Sequence, residues 1–178
     1  SFTFKVNDGT VDSEAATVTL AITAVNDVPV ATAQTDVAAT EQTAVTLTLA
    51  GTDLDNDTLS YVIQTLPTIG TLSDNGTVIT ADDLPKTTTS TDLIYVSTSD
   101  TATSDSFTFI VNDGTVDSEA ATISLAITAV NDVPVATAQT DVAATEQTEV
   151  TITLVGTDAE SDAITFIVST LPTNGTLS

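Results

Sequence analysis

Apolar and polar side chains alternate through residues 106–111, with Phe107, Phe109 and Val111 on one side and Ser106, Thr108 and Ile110 on the other. A period of two predicts a half-buried β-strand. The same reading places Ala121, Ile123, Leu125 and Ile127 inward on a following strand, with Thr122, Ser124 and Thr128 outward. Val45, Leu47 and Leu49 line another strand, with Thr46 and Thr48 outside, and Leu59, Tyr61 and Ile63 mark one more. A first strand near 30–38, a short hairpin around Asp74-Asn75-Gly76, one helical turn over 81–84 and a strand at 93–96 fill the intervals. About seven strands in a little over 100 residues predict an all-β, immunoglobulin-like sandwich.

The pattern repeats. Ser1-Phe2-Thr3-Phe4 returns as Ser106-Phe107-Thr108-Phe109, and the match continues at an offset of 105 residues to Ser73 against Ser178. Only 17 of those 73 aligned positions differ. The differences support the assigned faces: the outward slot of Ile110 holds Lys5 in the other copy, while inward Leu59, Tyr61 and Ile63 become Ile164, Phe166 and Val168. Solenoid units run about 20 to 50 residues, so a period near 100 implies tandem domains, each with its own core. The seam is Ala24-Val25-Asn26-Asp27-Val28-Pro29, repeated as Ala129-Val130-Asn131-Asp132-Val133-Pro134, where Pro interrupts ladder pairing and Asn-Asp favours a turn. Residues 25–129 then form one complete repeat. Residues 1–24 are the last two strands of a preceding repeat and 130–178 the first part of a following one, so the chain reads as an excerpt from a longer array.

Composition narrows the chemistry. Two Lys plus Arg stand against 25 Asp plus Glu, for a net charge of -23, and there is no His, Cys, Met or Trp. Without imidazole or thiol, no Ser-His-Asp or Cys-His nucleophile and no usual zinc site is expected, and an enzyme is not. The carboxylate pairs lie side by side in turns, which gives glycoside hydrolysis no cleft. The charge argues against nucleic-acid binding and against anionic membrane surfaces. No apolar run reaches the roughly 18 residues of a membrane span, and the first residues do not resemble a signal peptide, so neither membrane insertion nor a targeting segment is expected. Only 15% of residues are charged and 41% are hydrophobic, which favours a folded chain over a disordered one. Threonine, about a fifth of the residues, favours strands.

Strands running alternately up and down gather the acids at the two ends of a repeat. The seam residues Asn26 and Asp27, the loop Asp53-Leu54-Asp55-Asn56-Asp57 and the loop Asn112-Asp113-Gly114-Thr115-Val116-Asp117 should converge at the top. Glu41, Asp100 and Asp105 should lie at the bottom near Asn131 and Asp132, facing Asp158, Glu160 and Asp162 from the next repeat. Crowded carboxylates repel one another unless a cation neutralises them, and Ca²⁺ takes about 6 to 8 oxygen ligands. The alternate spacing of Asp53, Asp55 and Asp57 is kept as Asp158, Glu160 and Asp162 while the spacer residues change. An EF-hand is excluded, because its sixth loop position would be Thr58 and its twelfth Gln64, between strands. The bound-ion expectation is therefore Ca²⁺ on Asn26, Asp27, Asp53, Asp55, Asp57, Asn112, Asp113, Asp117, Glu41, Asp100, Asn131, Asp132, Asp158, Glu160 and Asp162. The competing explanation is that acidic turns simply solubilise the array. Asn56-Asp57-Thr58, Asn75-Gly76-Thr77 and Asn174-Gly175-Thr176 match the N-glycosylation pattern but also read as ordinary turns.

Asp105-Ser106-Phe107-Thr108-Phe109 leading to Val111-Asn112-Asp113-Gly114, the Val130-to-Pro134 seam, Gly156-Thr157-Asp158 and, more weakly, Val78-Ile79-Thr80-Ala81-Asp82-Asp83-Leu84 carry a family resemblance. The chain resembles the cadherin-like and immunoglobulin-like tandem repeats of large bacterial surface adhesins, including calcium-dependent adhesins exported by type I secretion. That resemblance implies an extracellular extender or spacer in an adhesin or surface fibre, of the kind found in biofilms, stiffened by calcium at its junctions. Its partners would be neighbouring repeats of the same chain and like chains in a fibre. The seam departs from animal cadherins at Ala24, Val28 and Pro29, and there is no Arg for their Asp-Arg-Glu element, so one or two ions per junction are expected instead of three. The alternative function is a binding module whose exposed Thr rows contact glycan, ice or a like chain, though aromatics, at 4%, are scarce for stacking on sugar.

Overall fold

The computed structural model describes residues 1–88 and 90–178. The N-terminal hairpin pairs β1 (Phe2–Phe4) antiparallel with β2 (Ala16–Val18). The central sandwich is built from β3 (Val30–Ala31), β4 (Gln34–Thr40), β5 (Val45–Thr48), β6 (Gly51–Thr52), β7 (Ser60–Ile63), β8 (Gly70–Asp74), β9 (Thr77–Val78), a single 3-10 turn (Ala81–Asp83), β10 (Lys86–Thr87), β11 (Asp92–Ser97), β12 (Ser104–Asn112) and β13 (Ala121–Thr128). The C-terminal segment adds β14 (Val135–Ala136) and β15 (Gly156–Thr157), which pair with each other.

Two sheets face one another, one ordered β10-β7-β12-β13-β4 and the other β5-β11-β8-β9. This is the all-β, immunoglobulin-like sandwich that the alternation predicts. The faces agree residue by residue: Phe107, Phe109 and Val111 of β12 and Ala121, Ile123, Leu125 and Ile127 of β13 are buried, and Leu47, Leu72, Leu93 and Tyr95 meet them from the other sheet. Tyr61 packs on Phe109 with ring centroids 6.4 Å apart.

The region expected as one strand near 30–38 is two strands. β3 pairs antiparallel with β6, whereas β4 runs parallel to β13, so the chain changes sheets at Thr32-Ala33. A bulge follows, with the register shifting between Ile123 and Leu125, Asp36 at φ 52° and its N–H on the Ser124 hydroxyl at 3.0 Å. Asp is among the few non-glycine residues that accept this backbone region. The Asn75-Gly76 hairpin forms as expected, with both residues at positive φ, the condition for a two-residue turn between twisted strands. The predicted helical turn is the 3-10 turn, closed by the Thr80 N–H and hydroxyl donating to the Asp83 carboxylate at 2.8 and 2.7 Å. Strand β10 has no signal in the sequence.

Asp105 also departs from expectation. Instead of facing the junction, it is buried between the sheets, where its carboxylate accepts from the N–H groups of Thr68 (2.9 Å), Ile69 (3.1 Å) and Ser106 (2.9 Å) and from the Tyr95 hydroxyl (3.0 Å). A buried carboxylate needs such partners to replace its hydration. Burial, followed by the hydrogen bond and charge of Asp105, pushes the Tyr95 phenol up to about 12.

Two outcomes follow from this buried pair. A Cβ on Gly70 would overlap the Tyr95 ring, so Gly70→Ala should cost about 2 kcal/mol by denaturant unfolding. Because the folded state holds the Tyr95 proton more tightly than the unfolded chain, its contribution is complete below pH 10 and declines as pH rises toward 12. Unfolding free energies measured across that window should fall more steeply for the wild type than for Tyr95→Phe.

Candidate metal centre

Chain geometry at the top of the sandwich bends the acidic loop inward. β6 ends at Thr52, Asn56 takes φ 62°, and the Asp57 N–H donates to Asp53 Oδ1 at 3.0 Å, curling the loop over its own first residue. The alternate residues Asp53, Asp55 and Asp57 thereby bring carboxylate oxygens within 4.8 Å of one another. Asp55 Oδ2 also accepts the Asp27 N–H at 2.8 Å, which ties the seam to this loop. Asp53 Oδ2 is buried without a hydrogen-bond partner among the described residues. Carboxylates this close repel one another, and a buried oxygen without a donor is free to accept from a positive group.

The second top loop is arranged differently. Asn112 donates its amide to Asp117 Oδ1 at 2.6 Å and accepts the Gly114 N–H at 2.7 Å, while Asp113 Oδ1 accepts the N–H groups of Thr115 and Val116 at 2.6 and 2.7 Å. Residues 7–12 repeat these bonds through Asn7, Asp8 and Asp12. These are Asx turns, in which a short polar side chain stands in for backbone. The remaining oxygen, Asp113 Oδ2, accepts the Asn26 amide at 2.9 Å, and Asn26 also donates to the Asp27 carbonyl. The amide of Asn26, then the N–H groups of Val116 and Thr115, hold the Asp113 carboxyl below the usual carboxylate range. All three expected top segments do converge, but Asn112, Asp113 and Asp117 meet one another and Asn26, not the Asp53 cluster.

At the lower end Glu41 is only 4% exposed. It stands just past β4, where its N–H donates to the Thr128 carbonyl at 3.0 Å and its Oε2 accepts the Val130 N–H at 2.9 Å. Carboxylate oxygens of Glu41, Asp132 and Glu160 lie within 4.8 Å of one another, so the cluster joins the sandwich, the seam and the C-terminal segment. Glu160 Oε2 accepts the Asp132 N–H at 3.1 Å, the counterpart of Asp27 on Asp55, and Glu160 Oε1 is buried without a partner among the described residues. Asp158 and Asp162 close the loop, the Asp162 N–H donating to Asp158 Oδ1 at 2.9 Å. Asn131 donates to the Asp132 carbonyl at 2.8 Å. Asp100 reaches this end indirectly, through the Gln42 amide, which donates to Asp100 Oδ1 at 3.2 Å and Glu41 Oε1 at 3.1 Å. Sequence reasoning missed Gln42; its φ of 51° marks a turn that only the Thr40-Glu41-Gln42-Thr43 composition could have signalled.

Both clusters fit a hard divalent cation. Their donors are carboxylate oxygens gathered in tight loops, and side-chain cations cannot serve, since the chain has only Lys5 and Lys86 and the latter lies by Asp83.

The profile of a family described as bacterial Ig domain matches residues 26–126. Integrin beta-like protein A of Dictyostelium discoideum is 31% identical to this chain over 185 aligned positions, covering 98% of the chain and 10% of that protein. The chain thus spans about a tenth of the length of this curated relative. No solved structure matches. No helix among the described residues is long and apolar enough to cross a membrane.

The Asn26–Asp113 pair gives a pH test. A carboxyl held below its ordinary 3.8 contributes stability above that pH and loses it as pH falls through the depressed value. The stability difference between wild type and Asp113→Ala, followed by thermal unfolding, should be full at neutral pH and shrink below about pH 4.

Proposed function

The chain belongs to the bacterial Ig domain family, and from that premise we propose that it is a cadherin-like extender segment of an extracellular adhesin or surface fibre, with repeats locked end to end by calcium. The family and the integrin-beta-like relative suggest an adhesion-type module at a surface or outside the cell, and Ig-like domains of this kind are typically non-enzymatic. Near-identity of tandem copies suits a spacer, in which length matters more than any one surface.

One observation supports the calcium lock above the others: Glu41, Asp132 and Glu160 come from three successive parts of the chain, and the buried Glu160 Oε1 has no partner among the described residues. A cation held there would bridge the bottom of one repeat to the top of the next, and remove the repulsion that otherwise drives them apart. The Asp53, Asp55 and Asp57 cluster occupies the corresponding top position of the central sandwich, so each junction would be served by the same loop.

Extracellular modules bind calcium at roughly 10⁻⁴ to 10⁻³ M, so millimolar concentrations should load these sites. Calcium at about 10 times the dissociation constant stabilises by about 1.4 kcal/mol per site. Adding calcium should therefore raise the melting temperature by several degrees and narrow the distribution of end-to-end lengths in small-angle scattering, and chelator should reverse both. Glu41→Gln combined with Glu160→Gln should abolish the change in scattering while the Asp53 cluster still supports part of the thermal shift. An unchanged melting temperature and scattering profile in calcium would refute the lock.

A further inference from the structure

Two strands of the central sandwich connect its entrance to its exit. The chain comes in at the top, where Asp55 holds the Asp27 N–H and Asp113 holds the Asn26 amide, then passes through β3 and descends along β4. It leaves at the bottom along β13, whose last residue is Thr128. β4 and β13 lie side by side and run parallel, so the strand that follows the entrance is hydrogen-bonded directly to the strand that forms the exit.

The register is continuous over Val37, Ala38, Ala39 and Thr40 opposite Leu125, Ala126, Ile127 and Thr128. Above it, the Asp36 N–H donates to the Ser124 hydroxyl at 3.0 Å across the bulge, and Gln34 stands opposite Ile123. Below it, Glu41 extends the ladder twice, its N–H donating to the Thr128 carbonyl at 3.0 Å and its Oε2 accepting the Val130 N–H at 2.9 Å. Ala39, Glu41, Leu125 and Ile127 are buried, which keeps water from replacing these bonds from the core side.

Strand direction decides how pulling acts on this ladder. Tension between neighbouring repeats draws the top of β4 upward and the bottom of β13 downward, along the strands and across evenly spaced bonds. The bonds are then strained together, and the strands part only when several break at once. Antiparallel strands would put entrance and exit at the same end, where the bonds open one by one. β3, with two residues paired to β6, has no ladder of comparable length.

We propose that the β4–β13 ladder is the tension clamp of the repeat: it passes pulling force from one seam to the next in shear, and β5 to β12 stay outside the direct path until it breaks. The direction of pull rests on the extender reading, whereas the resistance belongs to the sandwich and needs no cation. Forced unfolding follows the unfolding barrier and not the equilibrium stability, so high resistance is compatible with an ordinary melting temperature.

Force spectroscopy in chelator tests this on the 178-residue chain, which has no native cysteine and so accepts handles at chosen sites. Val25→Cys with Val133→Cys, both exposed, pulls the ladder in shear, and Ala44→Cys with Val133→Cys peels it from its lower end. At one loading rate the first pair should give a single step of about 300 Å, the contour of residues 34–128 at about 3.4 Å each less their folded span. The second pair should open at less than half that force. Ser124→Ala, which removes the acceptor of the Asp36 N–H, should lower the shear force and leave the peeling force unchanged, because peeling reaches that bond last. Equal forces in the two directions, or a loss of the same size in both for Ser124→Ala, would overturn the clamp. Either result leaves the calcium lock standing, since that is read from scattering in calcium, and loss of the lock leaves the two forces as they are.

Discussion

The structure depends on pairing between strands far apart in the chain. β12 and β13 arrive last, yet they fill the middle of their sheet, with β7 on one side and β4 on the other. A strand exposes a row of N–H and C=O groups on each edge, and these need partners before the strand is stable. The central sandwich shows the consequence: β4 is a strand along the edge that β13 offers it, and Gly70 is pressed against the Tyr95 ring of the strand beside it.

That dependence explains what could be read from the sequence. Alternation reports which side of a strand faces an apolar layer, a local property, and it places the inward residues of β5, β7, β12 and β13 correctly. It does not report which strand lies alongside. The change of sheet between β3 and β4 and the parallel pairing of β4 with β13 are facts about partners separated by nearly the whole repeat. β10 is two residues long and exists only because β7 offers it an edge. Short elements of this kind have no periodicity to detect.

The acids were legible as a group but not one by one. Their number and spacing pointed to turns, and the turns do sit at the two ends of the sandwich. What composition could not reveal is that these carboxylates serve three different purposes. Asp113 and Asp117, together with Asn112, hold the Asx-turn loop and the seam. Asp105 satisfies amide groups between the sheets. Only the acids of the loops after β6 and β15, with Glu41 and Asp132, lie close to other carboxylates without enough donors to satisfy them, among the described residues. A carboxylate with three or four N–H partners is already neutralised by dipoles; one with a buried bare oxygen is not.

The seam is tied to both ends of the sandwich. Asn26 reaches Asp113 and Asp27 reaches Asp55, so the segment entering the sandwich is held by two loops at its top. Val130 reaches Glu41, so the segment leaving it is held at the bottom, immediately after the parallel β4–β13 pair. Asp132 then reaches Glu160 in the following segment. A linker fixed at both ends by backbone N–H donors has few ways to bend. Asp55, Glu41 and Glu160, which accept those backbone bonds, are also the carboxylates that crowd together. Backbone anchoring and carboxylate crowding therefore fall on the same side chains, so replacing one of them changes both.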